Sequence, residues 1–193
     1  MQLAETLLDG ARRLQRRYFS RHVAERGRGP RTGAERRSPL GTSPTAAALV
    51  YAACRHAAVP RTFKECARYS GLTPKAIFRR LSKMRTVLCQ GGSAGTLPRV
   101  RAEEYLGRYC AGLELGFAVE KESRAVLRAT EAEQPIASGA AAAAAAAILV
   151  ALRHPTPQQI RALSQVSCLA LPTVKRNFKA MWFAWALSPT STV

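Results

Sequence analysis

The stretch that decides the fold is TAAALVYAAC, residues 45–54, in which almost every side chain is apolar. A helix of this composition has no polar face to turn toward water, so we expect it to lie in the middle of a helical bundle. A second stretch, AAAAAAAAILVAL at residues 140–152, has the same character. The first ends ACRH at residues 53–56 and the second ends ALRH at residues 151–154. This self-similarity predicts two repeats, each wrapped around a buried alanine-rich helix.

The elements that follow the first buried helix predict a short helix, a turn and a longer helix. Thr62 can cap a short helix that ends near Tyr69, and Pro74 stands at the favoured first position of the next helix. In that longer helix Lys75, Arg79 and Lys83 recur on one face, which we expect to be exposed.

The second repeat has the same order of elements. We expect a short helix at residues 157–166, a turn, and a longer helix from Pro172 to about Trp185. Helices at residues 100–115 and 120–133 precede its buried helix. The fold prediction is therefore all-α, with two tandem helical bundles.

The amino-terminal part is strongly basic. An amphipathic helix is predicted over residues 2–23, and an arginine-rich loop over residues 25–44. A glycine-rich linker at residues 91–98 separates a first domain, 1–90, from a second, 99–187. The arginines of the loop are Arg26, Arg28, Arg31, Arg36 and Arg37.

The charge of the chain indicates a polyanionic partner. Among its 193 residues are 30 Lys and Arg against 12 Asp and Glu, a net charge of +18, while 47% of residues are hydrophobic. That hydrophobic content excludes a disordered basic tail. Residues 1–98 carry 19 basic and 5 acidic side chains, a net charge of +14. Neutralising DNA phosphates releases counterions, a role that suits the arginine loop, Lys75, Arg79, Lys83 and Arg176. The alternative for these side chains is a solvated, soluble surface.

Other classes of function are not supported by the sequence. The five cysteines form no CxxC pair, so we expect reduced thiols and no metal or other cofactor. No secretory signal opens the chain, and its longest apolar run, 13 residues, is too short to span a bilayer, so we expect a soluble intracellular monomer that binds no membrane. No P-loop, HExxH or GxSxG motif is present, which predicts that the chain is not an enzyme.

Two segments of the first repeat resemble transcription factor IIB. AALVYAACR at residues 47–55 and VPRTFKE at residues 59–65 are similar to the first cyclin-like repeat of that family. Residues 104–115 resemble the opening helix of its second repeat, and Pro135, Ile136 and Ser138 with the alanines resemble its third helix. The resemblance implies two five-helix cyclin-like bundles, the first lacking a convincing first helix.

The resemblance also implies a nuclear general initiation factor that binds the TATA-binding protein on promoter DNA and helps recruit RNA polymerase II. In that family a helix-turn-helix of the second repeat places its last helix in the major groove. Carried onto this chain, the groove-facing positions are Pro172, Thr173 and Lys175, with Arg176 and Lys179 nearby. Contacts to the TATA-binding protein fall on Arg55 and Lys75.

The chain also departs from the family pattern. The amino-terminal zinc ribbon and the loop that reaches the polymerase are absent from this sequence, so we expect a fragment or a shortened form. Pro74 replaces a basic position, and Pro172 with Lys175 replaces the usual base-reading pair. Such divergence resembles factors of early-branching eukaryotes such as kinetoplastids. The alternatives are the related factor of RNA polymerase III, a kinase-activating cyclin, and a non-specific nucleic-acid scaffold.

Overall fold

The computed structural model describes residues 43–89, 97–133 and 139–187, together with Asp9, Gly10 and Arg13, and gives backbone alone at 85–89 and 131–133. Asp9, Gly10 and Arg13 are helical. The rest of the helix predicted at 2–23 lies outside the described residues. So do all five arginines of the loop predicted at 25–44 and most of the linker predicted at 91–98.

The prediction of an all-α fold is confirmed, since every regular element among the described residues is a helix. The chain divides into two compact units, unit 1 at Met1–Arg99 and unit 2 at Val100–Val193. The five-helix cyclin pattern of each repeat stays a prediction.

Unit 1 is described through three helices, α1 (Pro44–His56), α2 (Phe63–Ser70) and α3 (Pro74–Cys89). Side-chain hydrogen bonds cap the starts of α1 and α2. The Ser43 hydroxyl accepts a hydrogen bond from the backbone N–H of Thr45, which caps α1. Thr62 and Glu65 form a reciprocal capping box at the start of α2. The three helices pack on one another around the apolar side chains Ala48, Leu49, Ala52, Ile77, Leu81 and Met84.

The prediction that α1 has no solvent face is wrong at two positions. Ala46 is exposed, and Val50, one turn further along, is 48% exposed. The remaining apolar side chains of the stretch are buried, so the helix packs on most of its circumference and leaves a narrow apolar stripe. The composition alone could not reveal this stripe, because alanine and valine occur on both sides of such a helix.

Unit 2 is described through five helices, α4 (Glu103–Gly112), α5 (Phe117–Glu133), α6 (Ala140–Ala151), α7 (Pro157–Ser167) and α8 (Leu171–Leu187). The alanine helix α6 contacts each of the other four. All side chains from Ala142 to Val150 are buried, as the alanine-rich sequence predicts. The helix α4 is shorter than the predicted helix at 100–115. At its carboxyl end Glu114 takes a left-handed conformation (φ 55°), and the chain turns there.

The two repeats match at a different register from the one that the sequence suggests. ACRH lies within the last turn of α1, whereas only the first residue of ALRH belongs to α6. The residues that turn left-handed after the two helices are Ala58 and Arg153, so these two are structurally equivalent. The ACRH and ALRH pairing is therefore wrong in register, although each unit contains a largely buried alanine-rich helix.

A second equivalence joins the turns between α2 and α3 and between α7 and α8. Both begin with a buried serine, Ser70 or Ser167, and continue with a left-handed residue, Gly71 (φ 66°) or Cys168 (φ 54°). Aligned on that residue, Ile77 corresponds to Val174 and Met84 to Met181, and all four side chains are buried. Each unit therefore contains two consecutive helices joined by the same kind of turn, with the same inward positions on the second helix.

The turns predict opposite effects of two reciprocal substitutions. Gly71→Ala is expected to destabilise unit 1 by about 1 kcal/mol, because the left-handed region costs a Cβ-bearing residue about 1–2 kcal/mol. Cys168→Gly removes the strain of the left-handed conformation. Glycine also raises the conformational entropy of the unfolded chain, which costs about 0.4–1 kcal/mol of stability and offsets part or all of that gain. We therefore expect the substitution to be neutral or to stabilise unit 2. Urea unfolding of each variant measures both effects. A loss of stability in Cys168→Gly would contradict this account of the turn.

Candidate nucleic-acid interface

Hydroxyl groups hold the turn between α7 and α8 of unit 2. The Ser164 hydroxyl donates to the Leu169 carbonyl across the turn at 2.6 Å, and the Ser167 hydroxyl donates to the Leu163 carbonyl at 2.6 Å. Below the turn, Leu163 and Val174 are almost completely buried. These contacts fix α8 relative to α7.

The exposed face of α8 is cationic. Lys175, Arg176 and Lys179 are all exposed, and the helix contains no acidic residue. Pro172 is exposed and Thr173 is half-buried, with its carbonyl accepting a 2.7 Å hydrogen bond from the Asn177 side chain. The first turns of α8 thus present a positive surface that no carboxylate on the same helix neutralises.

The helix α3 of unit 1 carries a comparable row of charges, which we call the cationic ridge: Lys75, Arg79 and Lys83. All three are exposed, as the sequence predicts. Of the residues that the structure describes in unit 1, only Asp9 and Glu65 are acidic. Glu65 is 3% exposed, accepts a hydrogen bond from the Thr62 N–H and lies 3.8 Å from Arg61, so it is engaged within its own turn.

Beside the ridge lies an aromatic groove of about 250 Å³, lined by Tyr51, Arg55, Phe63, Phe78, Leu81, Ser82 and Leu97. The Tyr51 ring stacks on Phe63, with centroids 4.1 Å apart. Phe78 meets Phe63 edge to face at 5.7 Å and is still 55% exposed. The groove therefore combines an apolar floor with an aromatic edge that is open to solvent.

Arg55 forms one side of this groove. Its guanidinium lies 5.9 Å from the centroid of the Tyr51 ring and donates a hydrogen bond to the Pro98 carbonyl. The Nε atom of Arg55 is buried and has no hydrogen-bond partner. Burial raises the pKa of Tyr51 and the positive charge of Arg55 opposes that shift, so the phenol stays protonated at neutral pH. The hydrogen bond to the Pro98 carbonyl thus holds Arg55 in place, and its buried Nε–H makes no hydrogen bond.

The residues predicted as binding sites fall into four groups. Arg26, Arg28, Arg31, Arg36 and Arg37 lie outside the described residues. Thr173, Lys175, Arg176 and Lys179 come together on α8, and Arg79, Lys83 and Lys75 come together on α3. Arg55 lies on α1 and joins the groove that Phe78 of α3 also lines.

The aromatic groove was not among the predicted sites. A signal for it exists in the sequence, because Phe78 falls outside the buried stripe of α3 that Ile77, Leu81 and Met84 form. An aromatic side chain at an exposed helix position next to basic residues is a feature that pattern analysis could have singled out.

Two further classes of site are absent from the described part of the chain. It contains no group of His, Cys, Asp and Glu side chains that could hold a metal ion. None of its helices is both long and apolar enough to cross a membrane.

Comparison with known proteins finds three relatives. Over 142 residues, or 70% of this chain, it is 37% identical to transcription initiation factor IIB of Methanosarcina mazei. It is 32% identical over 142 residues to the Archaeoglobus fulgidus factor of the same name, and 30% identical over 141 residues to transcription initiation factor IIB 1 of Thermoplasma volcanium. No protein-family model matches the chain.

The matches cover most of this chain but less than half of each relative. The chain spans 40% of two of these proteins and 42% of the third. Their names are those of initiation factors, which agrees with the prediction that the chain is not an enzyme. The relatives do not test the kinetoplastid origin, which stays a prediction. At 30–37% identity over 70% of the chain, these similarities support a divergent protein that is similar to transcription initiation factor IIB.

Proposed function

We propose that this chain is a general transcription initiation factor that binds the TATA-binding protein and promoter DNA together and helps recruit RNA polymerase II. The observation that carries the proposal is the cationic face of α8 directly after a helix-turn-helix turn. A nuclear location, and the choice of polymerase II over polymerase III, are part of this proposal.

The DNA contact is assigned to α8. An α-helix fits the major groove of B-form DNA, and the amino-terminal residues of a recognition helix face the base edges. In this arrangement Thr173 and Lys175 face the bases, while Arg176 and Lys179 contact phosphates. Thr173 is half-buried and has a short side chain, so it contributes little contact to the base edges. Phosphate contacts therefore supply most of the affinity for DNA.

The contact to the TATA-binding protein is assigned to the aromatic groove and its two flanking cations, Arg55 and Lys75. Arg55 is held by the Pro98 carbonyl and lines the groove. Lys75 lies one helical turn before Phe78, on the exposed face of α3. Arg79 and Lys83 continue the ridge and would contact DNA phosphates, as would the five arginines of the loop predicted at 25–44.

The test is fluorescence anisotropy of a labelled promoter duplex at two salt concentrations, with and without the TATA-binding protein of the same organism. We expect the second protein to lower the dissociation constant of the chain by tenfold or more, a coupling of about 1.4 kcal/mol. Arg55→Glu and Lys75→Glu are each expected to abolish the coupling, because they place a carboxylate where the proposal requires a cation.

The matched control is Lys64→Glu, which reverses an exposed charge on α2 of the same unit without touching the groove. It should keep the coupling. If the wild-type chain shows a steep salt dependence but no coupling, the chain is a non-specific nucleic-acid scaffold and the proposal is wrong. Full coupling in both groove variants would disprove the assignment of Arg55 and Lys75.

A further inference from the structure

Among the described serines, Ser82 is the exposed one. Of the serines that the structure describes, Ser43 and Ser164 are half-buried, and Ser70, Ser123 and Ser167 are buried, whereas Ser82 is exposed. Its hydroxyl donates a 3.0 Å hydrogen bond to the Phe78 carbonyl within α3. The same side chain lines the aromatic groove, as Arg55 does.

The residues before Ser82 give it a recognisable chemical context. They read Arg79-Arg80-Leu81-Ser82, so two arginines lie three and two positions ahead of the hydroxyl and an apolar residue directly precedes it. Basophilic serine kinases select such segments, because their carboxylates pair with the arginine guanidinium groups. Arg79 is exposed and Arg80 is half-buried, with its Nε donating to the Thr45 hydroxyl at 2.8 Å.

We propose that Ser82 is a phosphorylation site for a basophilic serine kinase, and that the modification closes the aromatic groove to its protein partner. In the reaction the Ser82 hydroxyl oxygen attacks the γ-phosphorus of ATP. The bond from that phosphorus to the bridging oxygen of ADP breaks, ADP leaves, and the hydroxyl proton is released. The effect on the partner rests on the proposed function of the groove.

A phosphoserine at this position would change the charge of the groove. It brings a charge of about −1.5 to −2 at neutral pH and three acceptor oxygens. Arg79 lies one helical turn before it, Lys83 is the next residue, and Arg55 lines the same groove. The phosphate would pair with these cations, whose charge the partner contact requires. When the two turns are aligned, Ser82 of unit 1 corresponds to Lys179 of unit 2. Phosphorylation would therefore give unit 1 a negative charge at the position where unit 2 has a positive one.

Access to the kinase requires a local opening of α3, since these kinases bind their substrates in extended form. The first experiment therefore compares the folded full-length chain with a peptide of residues 76–87. Each is incubated with ATP and a kinase that accepts the Arg-Arg-x-Ser pattern, and the product is mapped by mass spectrometry. We expect phosphate on Ser82 in both, and its loss in the Ser82→Ala chain. Phosphate on the peptide but not on the folded chain would overturn the proposal.

A second readout does not depend on any partner. The phosphorus NMR signal of the modified chain is followed against pH. The second phosphate pKa is expected to lie well below its usual value of about 6, because neighbouring cations favour the dianion. Arg55→Gln should return the titration toward that value. An unshifted titration in the wild-type chain would show that the phosphate does not pair with the groove.

The third measurement tests the effect on the partner. Phosphorylation is expected to weaken the coupling to the TATA-binding protein at least tenfold, and Ser82→Glu less strongly. Tyr69→Glu, an exposed position of α2 outside the groove, adds the same single charge and should leave the coupling intact. Unchanged coupling after stoichiometric phosphorylation would overturn the regulatory part. If the unmodified chain lacks coupling, the proposed function fails, while the mapping and the phosphorus titration still decide whether Ser82 is the site.

Discussion

Leu149→Ala is expected to lower the free energy of unfolding of unit 2 by about 2–5 kcal/mol. Leu149 is completely buried in α6, the helix that contacts α4, α5, α7 and α8. Truncation removes its buried apolar surface and leaves a cavity. The neighbours along α6 are mostly alanines, whose short side chains cannot move in to fill the space, so the effect should lie in the upper part of this range.

The measurement is urea unfolding followed by circular dichroism, with Leu187→Ala as the matched control. Leu187 lies at the end of α8 and is 82% exposed, so the same chemical change should alter the stability by less than about 0.5 kcal/mol. Similar losses in the two variants would show that α6 is not the centre of the core.

The second large effect is expected on DNA binding. Replacing Lys175, Arg176 and Lys179 together by serine should weaken the binding of duplex DNA about 100-fold at 0.1 M salt. It should also reduce the slope of log affinity against log salt by about 1.8, because Arg176 and Lys179 are each assigned a phosphate contact and each such contact contributes about 0.9. The three side chains share one exposed helix face, so their loss removes the whole proposed contact of α8. Titrations at four salt concentrations measure both quantities.

The control removes three cations from α5 of the same unit: Lys121, Arg124 and Arg128. Arg124 pairs with Glu120 at 2.6 Å and Arg128 with Glu103 at 3.1 Å, so these charges are partly neutralised in the free protein. The control should therefore retain most of the affinity and slope. An equal loss in both triple variants would mean that DNA responds to the net charge of unit 2 and not to α8.

Most of the helices could be predicted from the sequence, because the local signals agree with the packing. The caps at Thr62 and Pro74 and the alanine stretch at 140–152 each have a single physical interpretation. The inward positions of α8, Val174 and Met181, follow from the helical period.

The register of the repeat and the aromatic groove could not be predicted in the same way. ACRH and ALRH are similar sequences, but the left-handed residues after the two helices are Ala58 and Arg153, and residue type does not mark these positions because neither is glycine. The groove brings together side chains from α1, α2 and α3, and only the packing of the three helices puts Arg55, Phe63 and Phe78 side by side.

The alanine helix also restricts how this sequence can diverge. From Ala142 to Ala147 every side chain is buried, and alanine is already the smallest residue that favours a helix. Any replacement but glycine adds volume to a filled space, and glycine costs about 1 kcal/mol in a helix interior. Few substitutions in this segment are therefore expected to leave the stability of unit 2 unchanged. Changes that survive are expected to accumulate on exposed faces, where the cations that distinguish this chain are found.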